Sequence, residues 1–292
     1  MSALTPRLRG LVTLTGIAAA AVVGLYVIFV RLPIGQRWDD RALLGGLLAS
    51  EDARKALTAA LHGIRISTLI LMVALLLVIG LLRHRFAIAL LATLGFGGAV
   101  VSAEVLKRVL PRRDLAPELN AYVDNGNIDT YPGGHSTIAM AFALALILVT
   151  SPRYRAPVAV AAMLWAAAVP MATLAAGWHR PSDVLGGIAL GLAWLAGIAA
   201  LAVLHSGRVM PTPTSMRILP LAGAAVITLC VVGLLVWIWR GDPSAIPVGG
   251  GLAAFAVAIV AIALVAVVSV GLYAEALRGL SFDRRRGASG DE

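Results

Sequence analysis

His179 and Asp183 stand four residues apart, with Pro181 between them favouring the start of a helix. On such a helix, residues i and i+4 share one face. The carboxylate could then hold one imidazole nitrogen protonated and leave the other free as a nucleophile or base. The competing reading is a helix-capping His179 with Asp183 paired to Arg180. Both residues belong to the patch Gly177-Trp178-His179-Arg180-Pro181-Ser182-Asp183, and two other polar patches lie upstream. These are Lys107-Arg108-Val109-Leu110-Pro111-Arg112-Arg113 and Tyr131-Pro132-Gly133-Gly134-His135-Ser136. Together they supply two histidines, a carboxylate, fixed cations and a glycine pair. That inventory suits chemistry on a phosphate group held at a membrane surface.

In the middle patch, Gly133 and Gly134 run into a helix. Glycines there let backbone N–H groups approach an anion, and the helix N-terminus adds positive potential. His135 is placed to donate a proton to a leaving oxygen. Lys107 and Arg112 offer a point charge and a bidentate fork for phosphate oxygens. Taken singly, these patches would read as a loop histidine and as cations snorkelling at a helix end. No metal constellation stands out. Asp124 and Asp129 are too loosely spaced, and phosphoryl transfer through histidine needs neither metal nor other cofactor. His62, His84 and His205 read as solvated or interfacial. Cys230 is alone and reads as a small buried hydrophobe.

The elements that must position these patches are membrane helices. The chain is 60% hydrophobic and 13% charged, with a mean hydropathy of +0.90. That places it among multi-spanning membrane proteins. Apolar runs at 10–30, 66–82, 86–106, 136–150, 158–176, 184–204, 218–239 and 248–274 give about eight spans, the fourth the shortest. Sheet is excluded, because open edges are unsatisfied in lipid. The expected class is therefore all-α, a polytopic membrane helix bundle. The first run reads as a retained helix, being longer than a signal peptide's core. Within 31–65, Trp38, Leu43, Leu44, Leu47 and Leu48 suggest an interfacial helix, and Ser50 the N-cap of a second. This segment reads as a lid on the outer leaflet or as a packed connector. Prolines at 211 and 213 mark a linker. The expected division is a six-helix core over 1–206, two additional spans over 207–277 and a basic tail over 278–292.

The net charge of +9 is scattered over loops and tail, which fits membrane orientation and anionic head groups rather than nucleic acid. With Arg7 and Arg9, Arg83 and Arg85, Arg153 and Arg155, Arg208 and Arg217, and the arginines at 284–286 inside, both termini are cytoplasmic. All three patches then face the extracytoplasmic side of a cell membrane.

In this order the patches resemble the type 2 phosphatidic acid phosphatase family, over roughly 10–204. The family motifs are a Lys with a downstream Arg-Pro, a Pro-Ser-Gly-His, and a Ser-Arg followed by His-x-x-x-Asp. The resemblance implies His179 as nucleophile, Asp183 as its orienter, His135 as general acid, and Lys107 with Arg112 as phosphate clamp. Three departures stand out. Arg113 occupies the Pro position of the first motif at the shorter spacing, and Gly133 replaces the Ser of the second. Thr173 stands where the third motif has its Arg, a missing cation that Arg113 or Arg180 could replace. The implied activity is metal-independent hydrolysis of a lipid phosphate or diphosphate, polyprenyl diphosphate preferred and phosphatidic acid close behind. The alternatives are lipid phosphotransfer and a non-catalytic lipid-phosphate binder or transporter.

Overall fold

The structure is a computed structural model that describes residues 4–48, 50–120, 130–206, 208–209, 218–242, 244, 246–247 and 249–282. Asp124, Asp129, Arg217, the linker at 211–214 and the arginines at 284–286 lie outside the described residues.

Helix α1 (Thr5–Leu25) continues through a π-helical turn (Tyr26–Val30) into α2 (Pro33–Gly45). Then come α3 (Glu51–Leu61), α4 (Ile66–Leu82), α5 (Phe86–Val109) and the short α6 (Pro117–Asn120). The remaining helices are α7 (Gly134–Val149), α8 (Arg155–Ala175), α9 (Pro181–Ser206), α10 (Leu219–Arg240) and α11 (Gly251–Ala276). Each of the eight apolar runs forms a helix. Six of these helices are long and apolar enough to cross a membrane by themselves: α1 with its π turn, α5, α8, α9, α10 and α11. Helix α4 passes that test only together with α3, across a 49° bend. At 16 residues α7 rises about 24 Å, and almost all of it is buried. Enclosed by protein, it has no lipid thickness to match. The chain is an all-α, polytopic membrane bundle.

One expectation needs correction. A two-residue antiparallel ladder joins β1 (Arg208–Val209) to β2 (Leu280–Ser281), pairing Arg208 with Ser281 and Val209 with Leu280. It lies beyond the ends of α9 and α11, so no open edge falls within an apolar span.

Close helix crossings set the position of the polar patches. On α9, Gly187 and Gly191 are four apart and face α7. A Cβ on Gly187 would lie 2.4 Å from the Gly133 carbonyl, and one on Gly191 3.0 Å from the Ala141 nitrogen. Such small-residue faces let membrane helices pack backbone to backbone. The first turns of α7 and α9 are thereby brought together. Helix α2 packs against α11 at Gly45, where a Cβ would meet Phe255 Cβ at 2.3 Å. It is a packed connector, with Ala42, Leu43 and Leu44 buried. Helix α3 is the superficial one, held by buried Leu61 and capped by the Ser50 hydroxyl, which accepts the Ala53 N–H at 3.3 Å. Helix α11 belongs to the main core through Phe255, Ile262, Val270 and Tyr273, whereas α10 exposes most of its surface.

At the far end of the bundle, arginines take up carbonyls at helix C-termini, which lack intrahelical partners, and in the strand segment beyond α11. Arg155 is buried and donates to the carbonyls of Leu277 at 2.6 Å and Leu280 at 3.0 Å. Arg7 donates to Glu275 O at 3.0 Å, Arg83 to Val149 O and Arg85 to Phe282 O.

Candidate active site

The turn between α8 and α9 is built by its termini. Gly177 has a φ of +77° and follows the C-cap Ala176, the place where a left-handed glycine ends a helix. Trp178 N–H returns to the Thr173 carbonyl at 3.0 Å and Gly177 N–H to that of Leu174 at 3.0 Å. These two bonds form a Schellman cap. His179 N–H also reaches the Thr173 carbonyl, at 3.4 Å. Thr173 is thus a buried helix terminator whose hydroxyl donates to Pro170 O at 2.7 Å. Pro181 then opens α9, and Asp183 in its first turn reaches back to accept the Arg180 N–H at 3.1 Å. This is the return half of a capping box.

Asp183 is fully buried and takes three further approaches. Its Oδ1 accepts from Arg112 Nη2 at 3.1 Å, and its Oδ2 from the Thr130 hydroxyl. His179 Nδ1 lies 3.8 Å from that same Oδ2 and makes no hydrogen bond. The two side chains therefore meet, but not as an i, i+4 pair on one helix face: His179 stays in the turn before α9, and the carboxylate is fixed by other donors.

Arg112 is buried among acids. Its Nη2 also donates to Asp39 Oδ2 and Ser182 Oγ, each at 3.2 Å. Burial opposes its charge, but Asp183, Asp39 and Asp40 together raise its pKa above the ordinary value. Asp39 accepts the Ser182 N–H at 2.8 Å and the Ser182 hydroxyl at 2.6 Å. Burial raises the Asp39 carboxyl to about 6, with Arg112 pulling it down and Asp183 pushing it up. Arg180 is buried too, and its Nε donates to Asp40. Burial raises the Asp40 pKa and Arg180 opposes the rise.

The second wall carries the other histidine. His135 sits in the first turn of α7, beside the Leu61 backbone and among the charges of His179, Lys107 and His62. Its ring meets Trp178 edge-on, with centroids 5.3 Å apart, and His62 packs on the same indole at 5.0 Å. Lys107 pairs with Glu104 at 2.8 Å. A Cβ on Gly134 would stand 2.9 Å from Lys107 Nζ, so the ammonium lies against the start of α7. Gly133 donates its N–H to the Asp183 carbonyl at 2.7 Å.

The structure thus gathers His179, Asp183, Arg112 and Arg180 into one network, joined to Gly133, and sets His135, Lys107 and Gly134 beside it. Arg113 is exposed, and its carbonyl accepts from Gln36 Nε2 at 2.9 Å. Sequence reasoning missed Asp39, Asp40, Thr130, Ser182, Trp178 and His62. Asp39 and Asp40 carried little local signal, since Arg37 and Arg41 flank them in the sequence.

Comparisons with curated proteins and with solved structures give no match. The PAP2 superfamily model matches residues 86–205. That is a shorter stretch than the resemblance over 10–204, running from the start of α5 to the end of α9 and leaving out Asp39, Asp40 and His62. It spans all three polar patches, and over that stretch the chain is similar to the PAP2 superfamily.

Proposed function

We propose that the protein hydrolyses a lipid phosphate or diphosphate without a metal, through a phosphohistidine at His179. A lipid-phosphate hydrolase in general follows from the PAP2 domain set in a membrane helix bundle. The finer reading rests on one observation: His179 Nδ1 faces a buried carboxylate at 3.8 Å that Arg112 holds in place. With Nδ1 turned to Asp183, the other ring nitrogen attacks phosphorus. The bond from phosphorus to the leaving oxygen breaks, and His135 supplies that oxygen's proton. Water, its proton taken by the now neutral His135, then attacks phosphorus; the N–P bond breaks, inorganic phosphate leaves and the imidazole is freed. Lys107 and the backbone at Gly134 receive the phosphate oxygens, with Arg113 at the rim. Arg112 and Arg180 bond carboxylates directly and act on the phosphate through their charge. Polyprenyl diphosphate is the preferred substrate, and phosphatidic acid the next.

Phosphate release from prenyl diphosphates, prenyl monophosphates and phosphatidic acid, measured in detergent with a chelator, tests this reading. Release under those conditions supports it. A strict need for an added divalent ion defeats the metal-free mechanism. Binding without release across the panel leaves the binder or transporter reading, which the cation-free Thr173 position favours. Transfer to an added lipid alcohol in preference to water identifies a phosphotransferase.

We also propose that the site faces the extracytoplasmic side. Asp52 lies exposed at the site end and Arg153 exposed at the opposite end. In a Cys230→Ala background, Asp52→Cys should react with an impermeant thiol reagent in intact cells and Arg153→Cys only after lysis. The reverse pattern overturns the orientation.

A further inference from the structure

We propose that Asp39, which lies outside the PAP2 domain, is a positioning residue for the His179–Asp183 pair. The inference rests on the hydrolase reading above. Three fully buried carboxylates, Asp39, Asp40 and Asp183, meet two buried guanidiniums, Arg112 and Arg180. Desolvating such ions costs several kcal/mol each, and apolar residues of similar volume often serve a fold as well or better. A buried ionic cluster at the edge of a membrane domain is a functional feature by default.

Asp39 touches the pair in two ways. It receives both the N–H and the hydroxyl of Ser182, and so caps the first turn of α9 from another helix. It also shares Arg112 Nη2 with Asp183. The guanidinium is thereby held between two carboxylates, at 3.2 Å and 3.1 Å. Without Asp39, Arg112 can swing fully onto Asp183. The carboxylate then turns and its hold on the His179 imidazole changes. Asp40 secures the neighbouring Arg180 in the same manner, so α2 delivers two acids to a turn that the PAP2 domain provides.

The test compares wild type with Asp39→Asn, which keeps an acceptor for Ser182 but removes the charge. Asp39→Asn should lower kcat about 10-fold while KM moves less than about 3-fold, as loss of a transition-state arrangement does. In an Arg112→Gln background the same substitution should cost little further, because coupled residues are non-additive. The His179 ring signals, followed by NMR in ¹⁵N-histidine-labelled protein, should shift in titration midpoint or tautomer. Unchanged kcat, equal losses in both backgrounds, or unmoved His179 signals in a folded variant would each overturn the proposal. If wild type releases no phosphate from any lipid, the hydrolase reading fails, and the NMR comparison alone decides the role of Asp39. Should Asp39→Asn not fold, Ser182→Ala probes the same link. The same shift at His179 is expected there, and its absence overturns the proposal equally.

Discussion

The backbone N–H of Gly133 donates to the carbonyl of Asp183 at 2.7 Å, which ties the first turn of α7 to that of α9. The helix bearing His135 and the helix bearing Asp183 therefore share one register. A Cβ on Gly133 would stand 3.0 Å from that same carbonyl oxygen and 3.3 Å from its carbon. Gly133→Ser, which restores the residue of the family motif, should not improve the protein. Overpacking at such a contact costs about 1–3 kcal/mol. The expected result is a lower thermal midpoint in detergent and a several-fold drop in kcat. A gain in kcat with unchanged stability would show that the junction is loose.

His179 Nδ1 makes no hydrogen bond, so removing the ring breaks none at that atom. His179→Ala should therefore insert and purify like wild type while losing at least about 10³-fold in kcat, the scale on which a nucleophile acts. Binding of orthovanadate or inorganic phosphate should survive. Steady phosphate release by the alanine variant would remove His179 from the nucleophile role.

The place of the missing third-motif arginine looks different once Arg180 is seen against Asp40. Arg180→Ala strands a buried carboxylate, and breaking a buried pair from one side costs about 3–5 kcal/mol. The loss should appear first as instability in a detergent melt. Arg180→Leu combined with Asp40→Leu should recover much of it. Exposed Arg113, in contrast, should tolerate alanine with less than about a two-fold change in kcat. A stable Arg180→Ala protein with kcat reduced 10-fold would instead assign that guanidinium to the phosphate.

Asp39 should also be visible by its proton. Its carboxyl in the folded protein titrates at about 6, above the ordinary 3.8. A raised acid pKa means that the folded state holds the proton more tightly than the unfolded chain does. This group's contribution to stability is full below 3.8 and is lost as pH rises through about 6. Infrared difference spectra should show a protonated-carboxyl band that fades with a midpoint near 6 and is missing in Asp39→Asn. A wild-type protein without that band at about pH 5 contradicts the desolvation that raises this carboxyl.

The His179–Asp183 proximity was legible because it is local: four residues apart, with a proline starting the helix between them, although His179 itself stays in the turn before α9. The apolar runs were legible for a similar reason, since a span declares itself within its own window. Asp39 was not, because its partner Ser182 lies 143 residues further along the chain. In its own neighbourhood it balances Arg37 and Arg41 and reads as a solvated charge. Arg155 misled in the same way. It counts as a loop cation in any orientation argument, yet it is buried on carbonyls 122 and 125 residues away. His62 is exposed, as expected of a histidine at a helix end, but the indole beneath its ring comes from a turn that only the folded bundle brings there.

Helix α9 is pinned at both extremities. Asp39, Arg112 and Gly133 hold its first turn, and the strand just beyond its last turn is laced to the one after α11. A rod clamped at each end passes displacement on instead of absorbing it. Helix α3, with Leu61 as its one buried residue, is the soft member of the assembly. A head group pushing in past α3 would press on the Leu61 carbonyl and on the His62–Trp178 stack, and so on His135. His179 and Asp183 would stay in register while His135 gave way and resettled. Mechanical give in this pocket therefore belongs to the His135 wall, which on the proposed mechanism is the acid side.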